Sequence, residues 1–249
     1  MKFNIIASGS KGNATLVKYK ETVILIDMGI TFLRLQEGLK EFNLNDKDIN
    51  AIIVTHNHTD HVNGLRYLSP KICYALEGTL PSLSNVINKL EPFFIGEFKI
   101  TALPTSHDGI NPCGYMLETE DEKLVYLTDL GIFDDSYIDL IRNPDYLILE
   151  SNHDIPMLMA SNRSDYLKAR IASEHGHLSN ENSAIAASKI YGEKTKEVIL
   201  AHLSEECNTP EKALNAYKNI FEKLNLPITF ELRCANQHYS TLGGNLNEH

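Results

Sequence analysis

Short runs of β-branched and aliphatic residues set the rhythm of the first third of the chain. Phe3 to Ala7, Ala14 to Lys18 and Val23 to Ile26 read as strands, split by the turn formers Ser8-Gly9-Ser10-Lys11-Gly12-Asn13 and Lys20-Glu21. Phe32, Leu35 and Leu39 then recur at helical spacing until Asn43-Leu44-Asn45 ends the pattern, ahead of a strand from Ala51 to Val54. Farther on the pattern predicts helices at Val62 to Leu68 and Pro81 to Leu90 and a strand at Phe98 to Leu103. A hairpin-like pair, Tyr115 to Thr119 and Lys123 to Leu127, follows about Glu120-Asp121-Glu122. Helix is expected again at Tyr137 to Ile141, Tyr166 to Ala172 and Ser183 to Ile190, with strands at Tyr146 to Leu149 and Glu197 to Leu200. Thr209-Pro210-Glu211 starts a helix through Ala213, Tyr217 and Phe221, with Thr209 as cap and the proline in the first turn; Ile228 to Leu232 is the last strand. Early strands joined by short turns and later strands joined through helices disfavour a purely parallel doubly wound sheet and favour an α/β (α+β) fold with two packed mixed sheets.

Composition narrows the class. The chain has 249 residues, 43% hydrophobic and 22% charged, which is ordinary globular composition, and one domain over residues 1–249 is expected because no linker or repeat interrupts it. No apolar run approaches the roughly 20 residues of a membrane span. Asn4, Ser8 and Lys11 break up any signal-peptide core, so neither secretion nor anchoring is expected. Cys73, Cys113, Cys207 and Cys234 lie far apart with no C-x-x-C pair, which fits reduced thiols and a cytoplasmic location. A net charge of -10 argues against abundant non-specific nucleic-acid binding, although metal ions can supply a local positive charge that a count of Lys and Arg misses.

The informative segment is Thr55-His56-Asn57-His58-Thr59-Asp60-His61, four residues of metal-ligand type within six positions straight after an apolar strand. In an extended exit His56 and His58 share a face, and a helix start then brings Asp60 and His61 round, so one segment can feed two metals. A solvated histidine-rich loop is the bland alternative. Three more strands lead to ligand-type residues, namely Phe98 to Leu103 to His107, Leu124 to Leu127 to Asp129, and Val198 to Leu200 to His202. Strand ends that converge on one edge would gather them, as in open α/β sheets; singly, each also fits a surface histidine or a turn-forming aspartate. Two divalent cations set against the carboxylates of Asp60 and Asp129 and one hydroxide leave a single positive charge, which favours an anionic substrate such as a phosphodiester. The histidine and carboxylate mixture suits Zn, Mn or Fe.

With these residues the sequence resembles the metallo-β-lactamase-fold hydrolases, through His56-x-His58-x-Asp60-His61, His107, Asp129 and His202 in order. More narrowly it is similar to the YycJ/WalJ group, through Ser8-Gly9-Ser10-Lys11-Gly12-Asn13, Leu149-Glu150-Ser151-Asn152-His153-Asp154, Leu167-Lys168-x-Arg170-Ile171, Gly176-His177-Leu178-Ser179-Asn180 and His202-Leu203-Ser204. The resemblance implies a four-layer αββα sandwich with two divalent ions. His56, His58 and His107 would hold the first, Asp60, His61 and His202 the second, and Asp129 would bridge them. It implies for Asp27 an indirect role behind the ligands, for which a turn or strand-ending role is the alternative. It also makes His177 the acid that protonates a leaving alkoxide, where position alone allows a locally bonded loop histidine.

Spacing separates this chain from some relatives. His107 to Asp129 is 22 residues, too few for the arm of tRNase Z enzymes, and Asp129 to His202 is 73, too few for a complete β-CASP domain. Only 47 residues follow His202, with no glutathione-binding tail of the glyoxalase II kind expected. The resemblance implies a double-stranded 5′-to-3′ DNA exonuclease linked to DNA repair, with DNA as partner and Asp60 and His177 as catalytic residues. Hydrolysis of a small thioester or lactam, and a weakly active regulatory protein of cell-wall or division control, are the alternatives. Lys168 and Arg170, on a helix ahead of His177, fit a phosphate backbone or a solvated face. His153, His175, His238 and His249 carry no assignment.

Overall fold

The computed structural model describes residues 1–81 and 85–246. Its strands form two mixed sheets of seven, and the chain divides into two compact units, Met1–Pro104 with Gly109–Glu122 and Ala235–His249, and Thr105–Asp108 with Lys123–Cys234.

In the first unit β1 (Lys2–Ala7), β2 (Ala14–Tyr19) and β3 (Thr22–Ile26) form an antiparallel meander, with the C-terminal strand Thr241–Gly244 antiparallel beside β1. Helix α1 (Phe32–Lys40) is capped by Thr31, whose hydroxyl accepts from the Arg34 N–H, and turns Leu35 and Leu39 inward. Burying those two leucines stabilises the unit by roughly 1.5–3 kcal/mol each. They meet Ile6, Leu16, Leu25, Ile52 and Val54 in one core. From β3 the sheet continues in parallel through β4 (Ala51–Ile53), β5 (Cys73–Leu76) and β6 (Asn85–Ile87), with the short helix α2 (Thr59–Val62) after β4. Strand β8 (Phe98–Pro104) pairs antiparallel with β7 (Pro92–Ile95) on one side and with β9 (Cys113–Glu118) on the other.

The second unit is a parallel array of β10 (Lys123–Leu127), β11 (Tyr146–Glu150), β12 (Glu197–Ala201) and β13 (Glu231–Cys234). Leu147 to Leu149 and Val198 to Leu200 are buried without alternation, as expected of parallel strands covered on both faces. The connections include α3 (Ile138–Ile141), α4 (Ile155–Ala160), α5 (Asp165–Ile171), α6 (Asn180–Ile190) and α7 (Pro210–Lys223). Ser179 caps α6 and Thr209 caps α7, the latter with Pro210 in its first turn as its sequence implied. The two helices are tied by a 2.7 Å hydrogen bond between Ser183 Oγ and the Tyr217 hydroxyl.

Three expectations are corrected. The helix expected at Pro81 to Leu90 is strand β6 over Asn85–Ile87, and residues 82–84 lie outside the described residues. Val86 is exposed and Ile87 buried, a strand alternation that the apolar spacing mimicked. The helix expected at Val62 to Leu68 starts earlier, as α2, and yields to a 3-10 turn at Leu65–Tyr67. It breaks at Gly64, where any Cβ would collide with the Ile30 carbonyl oxygen. The last predicted strand shifts to β13, and β5, β7, α4 and the C-terminal strand were not read at all. No helix among the described residues is long and apolar enough to cross a membrane.

Candidate metal centre

In the first unit the donors sit on the exit of β4. Asp27 follows β3 in a left-handed conformation, φ 59°, and is fully buried. Its Oδ1 accepts from the Thr55 N–H at 2.8 Å, and its Oδ2 accepts from the Thr55 hydroxyl at 2.9 Å and lies 2.8 Å from His61 Nδ1. An ionised carboxylate only accepts, so His61 carries its proton on Nδ1 and presents the lone pair of Nε2. Asn13, from the early glycine-rich turn, reaches that nitrogen at 2.9 Å with its amide, which also donates to Asp60 Oδ2 at 3.3 Å. The rings of His56 and His58 are 4.5 Å apart and those of His56 and His61 4.1 Å apart, centroid to centroid. The loop can pack this tightly because Gly29 passes against the Asp60 backbone, where a side chain would clash. Imidazole nitrogens and a carboxylate in this density are the donor set of a divalent ion of intermediate hardness.

In the second unit the donors come from strand ends. Because β10, β11 and β12 are parallel and in register, with Leu127 opposite Leu149 and Glu150 opposite Ala201, their C-terminal ends deliver Asp129, Glu150 and His202 side by side. Asp129 and His202 both adopt left-handed backbone, φ 56° and 55°, a costly conformation for residues other than glycine that clusters at functional sites. Glu150 is fully buried and accepts four times. Oε1 lies 2.8 Å from His177 Nδ1 and 3.0 Å from His202 Nδ1, and Oε2 takes the N–H groups of Leu130 and Leu178 at 3.2 and 3.0 Å. Burial pushes its carboxyl pKa up, but the neighbouring His177 charge and the bonds from His177 and His202 outweigh it and bring the value to about 2. Both histidines therefore donate from Nδ1 and turn Nε2 away from Glu150.

His202 Nε2 lies 3.6 Å from Asp129 Oδ1, and His107 Nε2 lies 3.9 Å from the same oxygen. His107 donates from Nδ1 to the Gly176 carbonyl at 3.0 Å, and burial lowers its pKa. Donors bound tetrahedrally at about 2.1 Å to one ion are about 3.4 Å apart, so these separations fit metal ligation. Asp129, Glu150, His177 and His202 each offer an atom within 4.8 Å of the others.

Lys168 and Arg170 have partners within their own unit. Arg170 pairs with Asp108, its Nε 2.7 Å from Oδ2, and Lys168 Nζ donates to the Met159 carbonyl at 2.8 Å. Glu150 and Asn13 stand in motifs that the sequence reading quoted, yet neither received a role there. The signal for Glu150 was a charged residue closing an apolar strand, the pattern that also marks Asp27 and the Thr128-Asp129 exit.

Residues 22–203 match the family model of the beta-lactamase superfamily domain. The exodeoxyribonuclease WalJ of Streptococcus pneumoniae is 34% identical over 230 residues, 85% of either chain. The exodeoxyribonuclease YycJ of Bacillus anthracis is 32% identical over 237 residues, 90% of either chain. Among solved structures, the metallo-beta-lactamase fold protein YhfI from Bacillus subtilis superposes with a TM-score of 0.72 at 18% identity, covering 97% of this chain and 99% of that one. The chain belongs to the beta-lactamase superfamily and is akin to its WalJ and YycJ members.

Proposed function

We propose that this protein is a metal-dependent phosphodiesterase, a cytoplasmic exonuclease that digests double-stranded DNA from the 5′ end in the service of DNA repair. The reading rests on one observation above all, His177 fastened by a buried carboxylate beside Asp129, together with the kinship to two exodeoxyribonucleases. A sugar alkoxide leaves poorly unless it is protonated, whereas an acyl hydrolase has less need of such a residue.

Two divalent ions would be held by His56, His58 and His107, by Asp60, His61 and His202, and by Asp129 between them, with Zn or Mn as best fits and Fe as a further one. When bound they supply Lewis-acid charge at the phosphoryl group and activate water. Asp27 and Glu150 hold His61 and His202 with their Nε2 atoms available as ligands. Glu150 also keeps the Nδ1 proton of His177 in place, so the proton exchanged with the leaving oxygen is the one at Nε2. Such ions would add local positive charge to a chain whose net charge is -10.

The test is duplex DNA labelled at either end, incubated with Mn, Zn or Mg and with wild type or Asp60→Ala. Stepwise shortening from the 5′ end by wild type alone is expected. Hydrolysis of thioesters or lactams with DNA left intact would replace this reading with an acyl hydrolase.

A further inference from the structure

The turn that follows the His56 to His61 loop carries an arginine unlike the others. Of the six arginines, Arg142, Arg163, Arg170 and Arg233 each pair with a carboxylate, and Arg34 is half-buried and donates to two backbone carbonyls. Arg66 is exposed and, among the described residues, has only neutral partners. Its Nη1 donates to the Asn63 amide oxygen at 3.3 Å and its Nη2 to the Tyr67 hydroxyl at 3.0 Å, while the guanidinium lies 4.8 Å from the centre of the Tyr67 ring. In a chain whose net charge is -10, a surface arginine that meets no acid keeps its charge and its remaining N–H groups for an anion from outside.

The turn is fixed to the donor residues through the backbone. Asp60 and His61 lie in α2, Asn63 is its C-cap, and Leu65–Tyr67 is the 3-10 turn that follows. The Met28 N–H donates to the His61 carbonyl at 2.8 Å, and the Gly64 N–H donates to the Met28 carbonyl at 2.7 Å. One residue of the β3 exit thus ties the last donor of the loop to the start of the turn. Five residues of helical backbone carry Arg66 about 8–10 Å beyond His61, the span of roughly two or three nucleotides of a duplex strand. The guanidinium reaches back to Asn63, toward the donors. Phe32 at the head of α1 braces the Tyr67 ring, their centroids 5.9 Å apart.

We propose that Arg66, laid on the Tyr67 ring, binds a backbone phosphate of the DNA strand within a few nucleotides of the one cleaved. This rests on the phosphodiesterase reading above. A strand whose scissile phosphate sits at Asp60 and His61 carries its next phosphates past Arg66, so the substrate itself delivers the anion. A separate acidic partner would have to share that space with the strand. The planar guanidinium fork matches two phosphate oxygens, and a ring beneath it holds the fork in place. A backbone contact reads no base, which suits an enzyme that digests any sequence.

Fluorescence anisotropy of a labelled duplex with phosphorothioate linkages, which resist hydrolysis, reads affinity for the Mn-loaded protein from about 50 to 200 mM salt. Loss of one phosphate contact lowers the slope of log K against log salt by about 0.9. Arg66→Ala is expected to show that fall, with binding about ten-fold weaker. Arg66→Lys keeps the charge and should keep the slope. Lys189→Ala removes the same charge from a cation paired with Asp135 and should leave the slope as in wild type. Arg66→Gln reads the slope if Arg66→Ala does not fold. An unchanged slope in Arg66→Ala and Arg66→Gln, an equal fall in Lys189→Ala, a fall in Arg66→Lys, or no binding of the duplex would overturn the contact. Cleavage of end-labelled DNA by wild type with an unchanged slope in Arg66→Ala sinks the contact and spares the phosphodiesterase reading. A slope that falls as expected, without cleavage of any DNA, does the reverse.

Discussion

In the first unit four donor-type residues fall between His56 and His61 on a single loop, and in the second unit Asp129, Glu150, His177 and His202 are drawn from a stretch reaching across 73 positions. The loop cluster takes its donors from one segment, but their support is remote in sequence, since Asp27, 28 and 34 residues before Thr55 and His61, bonds both, and Gly29 lets the chain pass against Asp60. The strand-end cluster depends on the register of three parallel strands and on one buried carboxylate that serves two imidazoles and two backbone N–H groups. Both clusters lean on a buried carboxylate, and the difference is one of reach: Asp27 serves two residues of one loop, whereas Glu150 serves donors from three separate segments, so its removal strands more of the site at once.

The largest contrast should appear at His177. His177→Ala is expected to slow DNA cleavage by about 10²–10⁴-fold, the range of general acid catalysis, while an activated nitrophenyl diester loses less than about ten-fold. Equal losses on both substrates would remove the acid role. Next comes the shared acceptor. Glu150→Ala should lower folding stability by about 3–5 kcal/mol, read from the urea midpoint, because two imidazole and two backbone N–H donors lose their shared buried acceptor. If Glu150→Ala unfolds no more easily than wild type, the four bonds drawn to it are not what holds the cluster. In the loop cluster, Asp27→Asn should weaken metal binding by about 10–100-fold in a chelator competition, with the urea midpoint changed far less than in Glu150→Ala. An equal fall in stability would show that the two carboxylates carry the same structural weight.

The smallest effect concerns His153, a buried ring beside β11 whose pKa burial lowers from 6.5 to about 4. Above about pH 6.5 its contribution to stability is complete; as pH falls toward 4 the unfolded chain takes up the proton first and the contribution is lost, on the order of 2 kcal/mol. Urea midpoints measured from pH 7 down to 4 should decline in wild type and decline less in His153→Phe. Parallel declines would show that other groups control the acid limb.

Much of this was legible along the chain because it is local. Strand and helix periods located β1 to β4, β8 to β12 and α5 to α7 to within a few residues, and Thr209-Pro210 announced α7 through capping chemistry that needs only three neighbours. The spacing His56-x-His58-x-Asp60-His61 announced its donors for the same reason. The period failed at β6, where Val86 and Ile87 satisfy a helical and a strand pattern alike and the pairing of Tyr74 with Asn85 decided between them. It failed again at Gly64, where the backbone of Ile30, remote in sequence, forbids a side chain.

Arg170 illustrates the other limit. Its sequence position allows a phosphate contact or a solvated face, and only folding brings Asp108, 62 residues away, to its guanidinium. Glu150 was visible as a letter and invisible as a part, since its four bonds reach back to Leu130 and forward as far as His202. The residue types alone determined which atoms can bind a cation, because basicity and hardness belong to each side chain wherever it lies. Only the tertiary structure decided which imidazole nitrogen keeps its proton and which faces outward, because that choice is made by an acceptor that folding brings within hydrogen-bond distance.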